Sequence, residues 1–152
     1  MGWFKRIKDG IQTTTKDKKE TPEGLWHKCP TCKHMLTTEE HADNLWVCDK
    51  CDKHHRIGSR EYFHILFDNG RFKELDASLK PGDPLKFKDT KTYVSRVKQS
   101  KEKSGLKEAI RTAHGVIEEQ EIVIACMDFQ FIGGSMGSVV GEKISRAVDV
   151  CL

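Results

Sequence analysis

Cys29-Pro30-Thr31-Cys32 and, after fifteen intervening residues, Cys48-Asp49-Lys50-Cys51 form the stretch from which the fold is read. The spacing C-x2-C-x15-C-x2-C suits one tetrahedral zinc ion, because each tight C-x2-C turn turns two thiolates to one side and a hairpin between them returns the second pair. A pair of redox C-x-x-C motifs and an iron centre of the rubredoxin type are the competing readings. Redox motifs open a helix in a βαβ setting, and no such unit surrounds these turns. With Cys29, Cys32, Cys48 and Cys51 all bound, no ligand position stays open. Such a zinc folds its module and activates no water.

Outward from the knuckles, Lys28, Lys33, Lys50 and Lys53 flank the cysteines, either offsetting the dianionic charge of zinc held by four thiolates or simply lying solvated at the surface. His27, His34, His41, His54 and His55 lie nearby and are read as surface residues or as supports behind the ligands. Leu45-Trp46-Val47 reads as the second strand of the ribbon hairpin, its apolar side over the metal. Three segments follow from composition: a flexible basic leader over 1–24, a zinc ribbon over 25–60, and a second domain over 61–152. Residues 1–28 hold seven Lys/Arg against four Asp/Glu, while 29–60 balance five against five and 61–152 fourteen against fourteen. The net charge of +3 therefore lies in residues 1–28, the leader and the start of the ribbon, too small an excess for a strong nucleic-acid face. Trp3, Phe4 and Ile7 fall at helical spacing within that leader.

No apolar run reaches the roughly 18 residues that span a bilayer, and the N-terminus has no apolar core of a secretory signal. The expected location is cytoplasmic, where clustered thiols are metal ligands more often than disulfides. In the second domain, Tyr62, Phe63, Leu66 and Phe67 recur at i, i+3, i+4 and predict a short helix from Ser59 to Phe67. Phe72–Asp76 reads as a short strand, Pro81-Gly82-Asp83-Pro84 as a turn, and 89–103 as an amphipathic helix stopping at Ser104-Gly105. Leu106–Ile117 and Ile122–Phe129 read as a hairpin around Glu118–Glu121, the second strand buried on both faces. Cys126 and Cys151 read as core thiols. Gly133-Gly134-Ser135-Met136-Gly137 then leads into a helix with Val140, Ile144, Val148 and Cys151 on one stripe. A glycine loop entering a helix either presents backbone N–H groups to an anion or developing oxyanion, or simply lets the helix pack closely on the strand. It lacks the Lys-Ser/Thr ending of a P-loop and the spacing of a dinucleotide fingerprint, which argues against nucleotide binding.

Taken together, Pro22-Glu23-Gly24-Leu25-Trp26, the four-cysteine ribbon, Arg56-Ile57-Gly58, Asp83-Pro84-Leu85-Lys86-Phe87, Ser104-Gly105-Leu106-Lys107-Glu108-Ala109 and Met127-Asp128-Phe129 with Gly133–Lys143 closely resemble the beta subunit of bacterial acetyl-coenzyme A carboxylase carboxyl transferase. The resemblance runs from Trp3 to Leu152. It implies an α+β fold, a four-cysteine zinc ribbon followed by the start of a crotonase-like ββα superhelix. It also implies a hetero-oligomer with the alpha subunit, the biotin carboxyl carrier protein and biotin carboxylase. The implied reaction moves a carboxyl group from carrier-bound carboxybiotin to acetyl-coenzyme A, giving malonyl-coenzyme A, with zinc as a structural ion. Gly133, Gly134, Ser135, Met136 and Gly137 are then expected to bind substrate, their N–H groups facing an oxyanion. No residue within the chain is assigned a catalytic side chain. Family members carry a later Gly-Gly-Ala-Arg loop that supplies a further oxyanion donor, so this chain is expected to be a truncated subunit, inactive alone. The rival reading is a zinc-ribbon module that binds nucleic acid or protein, and steep salt dependence would mark the nucleic-acid case.

Overall fold

The computed structural model describes residues 24–152. Of the expected leader, including Trp3, Phe4 and Ile7, all but Gly24 lies outside the described residues. The chain divides into two compact units, one ending at Lys53 and one running from His54 to Leu152.

In the first unit, β1 (Trp26–Lys28) pairs antiparallel with β2 (Met35–Thr37), with His27 opposite Leu36. The first cysteine knuckle is the turn between them. The expected partner, Leu45-Trp46-Val47, is no part of this hairpin. Leu45 and Trp46 sit at φ 52° and 60°, left-handed conformations that a continuous strand does not contain. Between β2 and that turn lies α1 (Thr38–Asp43), opened by a reciprocal cap. The Glu40 N–H donates to Thr37 Oγ1 at 3.1 Å, and the Thr37 N–H donates to Glu40 Oε2 at 2.8 Å. The T-x-x-E signature at 37–40 encodes this helix, which the hydrophobic pattern alone hides. His41, on its last turn, is fully buried, stacked on His27 at 4.3 Å between ring centroids and edge-on to Trp46 at 5.1 Å. It is a core residue of the ribbon, not a surface one.

The second unit is built on a three-stranded antiparallel meander in the order β3 (Phe72–Leu75), β4 (Ile110–Ile117), β5 (Gln120–Met127). Ile117 pairs with Gln120 across a two-residue turn whose Glu118 and Glu119 both adopt positive φ, 49° and 68°. Such mirror-image turns match the twist of a hairpin, and they shorten the expected loop to two residues. Side chains alternate across β4, so each face of the sheet receives its own helix layer. Toward one face, Ala113 packs with Phe63 and Phe67 of α2 (Ser59–Leu66) and its C-cap, with Phe72, Ile124 and Cys126 at the margin. Toward the other, Ile110 packs with Val97 of α3 (Tyr93–Ser104), Val140 of α4 (Ser138–Cys151) and Phe131.

The strand buried on both faces is therefore β4. Expectation placed that burial in β5, but β5 is paired along one side only, and its residues are half-buried or exposed. Apolar runs look alike in centre and edge strands, so position in the sheet is not written in them. The buried face of α4 carries Val139, Val140, Lys143 and Ala147. Ile144 and Val148 of the expected stripe stand 41% and 52% exposed, and Cys151 is exposed. Cys126 is half-buried at the edge of the Phe63 cluster, so neither thiol is a fully enclosed core residue. The helix α3 behaves as expected at its end: Gly105 takes φ 70° and donates its N–H to the Lys101 carbonyl at 2.9 Å. It begins four residues later than the sequence pattern alone predicts. Asp89 first forms a turn by accepting the Lys91 N–H at 2.9 Å, and Thr92 then caps the helix. Among the described residues, no helix is long and apolar enough to cross a membrane.

Candidate metal centre and glycine-loop cavity

The two knuckles repeat one backbone pattern. The Cys29 N–H donates to the His34 carbonyl at 2.8 Å, and the Lys33 N–H donates to the Cys29 carbonyl at 3.0 Å. The Cys48 N–H donates to the Lys53 carbonyl at 2.9 Å, and the Asp52 N–H to the Cys48 carbonyl at 3.0 Å. Lys33 and Asp52, four residues after the leading cysteine, both take left-handed φ, 63° and 54°. This reversal folds each C-x2-C turn back on itself and aims its two thiols the same way.

As a result the sulfurs of Cys29, Cys32, Cys48 and Cys51 all lie within 4.8 Å of one another. Cys29 Sγ and Cys51 Sγ are 3.7 Å apart, and Cys32 Sγ and Cys48 Sγ 3.6 Å. A tetrahedron with Zn–S bonds of about 2.3 Å has S···S edges of about 3.8 Å, so the cluster fits zinc without rearrangement. The donor set, four thiols, suits zinc or iron and excludes magnesium and calcium, which take oxygen ligands. The Cys32 backbone N–H, helped by that of Thr31, points at the Cys29 sulfur and holds its pKa down at about 5 against burial. Burial pushes the Cys51 thiol up to about 12. Of the flanking lysines, Lys33 donates to the Pro30 carbonyl at 2.7 Å and braces the first knuckle. His34 Nε2 lies 3.5 Å from Asp49 Oδ1, linking one knuckle to the other outside the thiol cluster.

In the second unit the glycine loop follows β5 through a short 3₁₀ turn, Ile132–Gly134. Gly133 and Gly134 take φ 60° and 83°, and a Cβ on Gly134 would stand 2.7 Å from the Phe129 ring. That is why glycine is required there. Gly137 serves a different contact: a Cβ on it would stand 2.5 Å from the Tyr93 hydroxyl oxygen. A 530 Å³ cavity opens at this point, lined on one side by Ile132, Ser135, Met136, Gly137 and Ser138. Gly133 and Gly134 lie outside its lining. The N–H groups of Gly134 and Ser135 already donate to the Phe131 and Ile132 carbonyls, at 3.2 and 3.1 Å. Ser138, on the cavity lining, opens α4, and the N–H groups of that first turn are left by helix geometry without intrahelical partners.

The facing wall was not singled out as a site by the sequence. It comes from the loop before α3 and from α3 itself, with Asp83, Leu85, Phe87, Asp89, Tyr93 and Arg96. Asp83-Pro84-Leu85-Lys86-Phe87 is a distinctive motif, but nothing in its spacing says that it faces residues fifty positions later. Leu85 and Met136 are 84% and 76% exposed, so the cavity rim is apolar and accessible. Arg96 and Asp89 pair across the wall, and the guanidinium holds the Asp89 carboxyl down at about 2.

No protein-family model matches the chain. Among curated proteins, it is 58% identical over 149 residues to the acetyl-coenzyme A carboxylase carboxyl transferase subunit beta of Pedobacter heparinus, covering 98% of this chain and 53% of that protein. It is 56% identical to the protein of the same name from Flavobacterium psychrophilum, over 98% of the chain and 52% of the relative. For the one from Chlorobium limicola the figures are 52% identity, 98% and 53%. The chain spans about half the length of the curated relatives it matches.

Proposed function

We propose that this chain, a homologue of acetyl-coenzyme A carboxylase carboxyl transferase beta subunits, supplies the zinc ribbon and the substrate-facing glycine loop of such a subunit. The whole enzyme would move a carboxyl group from carrier-bound carboxybiotin to acetyl-coenzyme A, with an alpha subunit, a biotin carboxyl carrier protein and biotin carboxylase as partners. The observation that carries the reading is the cavity at the N-terminus of α4, in a chain 58% identical to a protein of that name.

The chemistry asks for an enolate of the thioester and a place for its negative oxygen. Ser138 and Val139 offer backbone N–H groups there, reinforced by the positive end of a fourteen-residue helix. Ser135, Met136 and Gly137 shape the approach. Gly133 and Gly134 act behind them, letting the chain turn sharply against Phe129. The exposed apolar rim of Leu85, Phe87 and Met136 offers apolar contact to an acyl-coenzyme A entering the cavity. The antiparallel meander with a helix layered on each face fits the start of a crotonase-like domain.

We assign the four thiolates to one structural zinc, remote in chemical role from carboxyl transfer. A loaded ribbon also bears on the rival reading. Residues 24–53 carry Lys28, Lys33, Lys50 and Lys53 against Glu39, Glu40, Asp43, Asp49 and Asp52, and zinc with four thiolates adds two negative charges. Such a surface disfavours phosphate backbones. The test is a carboxyl-transfer assay on the beta subunit with its alpha partner, carrying Ser135→Trp to fill the cavity mouth from an exposed position. A raised KM for acetyl-coenzyme A in a normally folded protein supports the reading. Unchanged kinetics with the mouth filled would overturn it.

A further inference from the structure

A second cavity, of 290 Å³, lies among β3, β4 and α4 and shares no lining residue with the glycine-loop cavity. Its polar wall is Glu74, Lys107, Glu108, Arg111 and Lys143. Lys143 is the anomaly: it is 3% exposed, and its Nζ donates to the Ile110 carbonyl at 3.3 Å. An ammonium group so placed has lost most of its hydration, and fully buried lysines are rarely left unpaired. The carboxylates around it have other cations. Glu74 pairs with Arg111, Glu108 with Lys101 at 3.4 Å, and Asp76 with Arg146 at 3.1 Å. Among the described residues, neither Lys143 nor Lys107 forms an ion pair of its own.

Glu74, Glu108 and Asp76 attract the Lys143 charge at longer range and Arg111 repels it, but burial outweighs them and holds the amine below the usual lysine range. The cavity wall thus carries three cations against two carboxylates, and its most buried cation, Lys143, has a carbonyl partner but no carboxylate at ion-pair distance. At roughly 30 Å³ per water, the space holds a group of several heavy atoms.

We propose that this cavity binds a small phosphate-type oxyanion between the Lys143 ammonium and Lys107, with Arg111 at its edge. The anion supplies the counter-charge that the protein does not. Its source is either free phosphate or the phosphate arm of a larger molecule, and the site stands independently of the carboxyl-transfer reading.

The probes are inorganic phosphate and ADP, titrated calorimetrically into the 152-residue chain at fixed ionic strength. Thermal midpoints are followed in parallel. Phosphate stabilises most proteins weakly by exclusion from their surfaces, so the decisive comparison is with Lys143→Met. Exchanging a buried charge for an apolar chain of similar length is commonly neutral or stabilising, and this variant should fold. Saturable binding of phosphate, weakened at least tenfold in Lys143→Met, supports the site. Tighter, Lys143-dependent binding of ADP supports it with a phosphate arm as the source. A midpoint rise that never saturates and is equal in both proteins would overturn it, as would saturable binding that ignores Lys143.

Discussion

The Asp128 carboxylate, at the end of β5, caps α2 from 69 positions away in the chain: Oδ1 accepts the Ser59 N–H at 2.7 Å and Oδ2 accepts the Ser59 hydroxyl at 2.6 Å. Both residues are buried, Asp128 at 4% exposure and Ser59 at 1%. The N-cap position of α2 is Gly58, which has no side chain to serve the free N–H groups. Asp128 therefore does from the sheet what a local Ser or Asp does elsewhere. Asp128→Ala should cost about 2–3 kcal/mol, because it strips two charge-assisted bonds and leaves a buried hydroxyl unpaired. Ser59→Ala should cost about 1 kcal/mol. Denaturant unfolding of both variants checks the order, and hydrogen exchange should place the earliest loss of protection in α2.

How far the sequence carried the fold follows from the range of each interaction. The knuckles, the α2 and α3 helices and the β4–β5 hairpin rest on contacts within a few residues, and local spacing encodes them. The strand partner of β1 was misplaced because Leu45-Trp46-Val47 is as apolar as Met35-Leu36-Thr37. Only the positive φ of Leu45 and Trp46 separates them. The Asp128 cap, the buried Lys143 on α4 and the wall from Asp83 to Arg96 all depend on partners tens of residues distant. The glycine loop was legible as a loop. That Gly134 serves Phe129 and Gly137 serves Tyr93 was not, since a glycine's reason is the atom it makes room for.

Metal analysis of the purified chain should find about one zinc per chain, the ratio that four thiols within 4.8 Å can hold. Cys48→Ser removes a fully buried ligand and should abolish stoichiometric zinc. Amide protection over residues 24–53 should collapse with it, because the energy of binding a structural zinc is folding energy. The sheet of the second unit has its own two apolar clusters and should keep its protection. Full ribbon protection in a zinc-free variant would contradict the assignment.

Asp89 gives a pH prediction with a definite sign. Hydrogen bonding to Arg96, then to the Lys91 N–H, holds its folded pKa at about 2, below the ordinary value of about 3.9. A depressed carboxyl pKa contributes stability that is present above the unfolded value and disappears as pH falls through the folded one. The stability gap between the wild type and Arg96→Met should thus be constant at neutral pH and close between about pH 4 and 2. Carboxyl NMR should show Asp89 titrating near 2 in the wild type and nearer the ordinary range in Arg96→Met. Equal titration in both would remove Arg96 as the cause.

Two glycines of the second unit should respond to the same substitution with opposite signs. Gly115 pairs with Phe72 across β3 and β4. A Cβ there would stand 2.5 Å from the Phe67 ring and 2.9 Å from the Arg71 carbonyl oxygen. The ring has limited room to turn, and the carbonyl belongs to backbone entering β3, so neither neighbour yields cheaply. Gly115→Ala should cost about 1–3 kcal/mol, as overpacked cores do. Gly141 lies in the second turn of α4, exposed, with no atom within 4 Å of its would-be Cβ. Its backbone is helical, so alanine fits and reduces the freedom of the unfolded chain. Gly141→Ala should therefore stabilise by about 0.5–1 kcal/mol. Both variants leave the charges and the ribbon untouched, so one set of denaturation curves compares them directly. A loss at Gly141 as large as that at Gly115 would mean that the α4 face bearing Gly141 is packed against something in solution and is not an exposed helix surface.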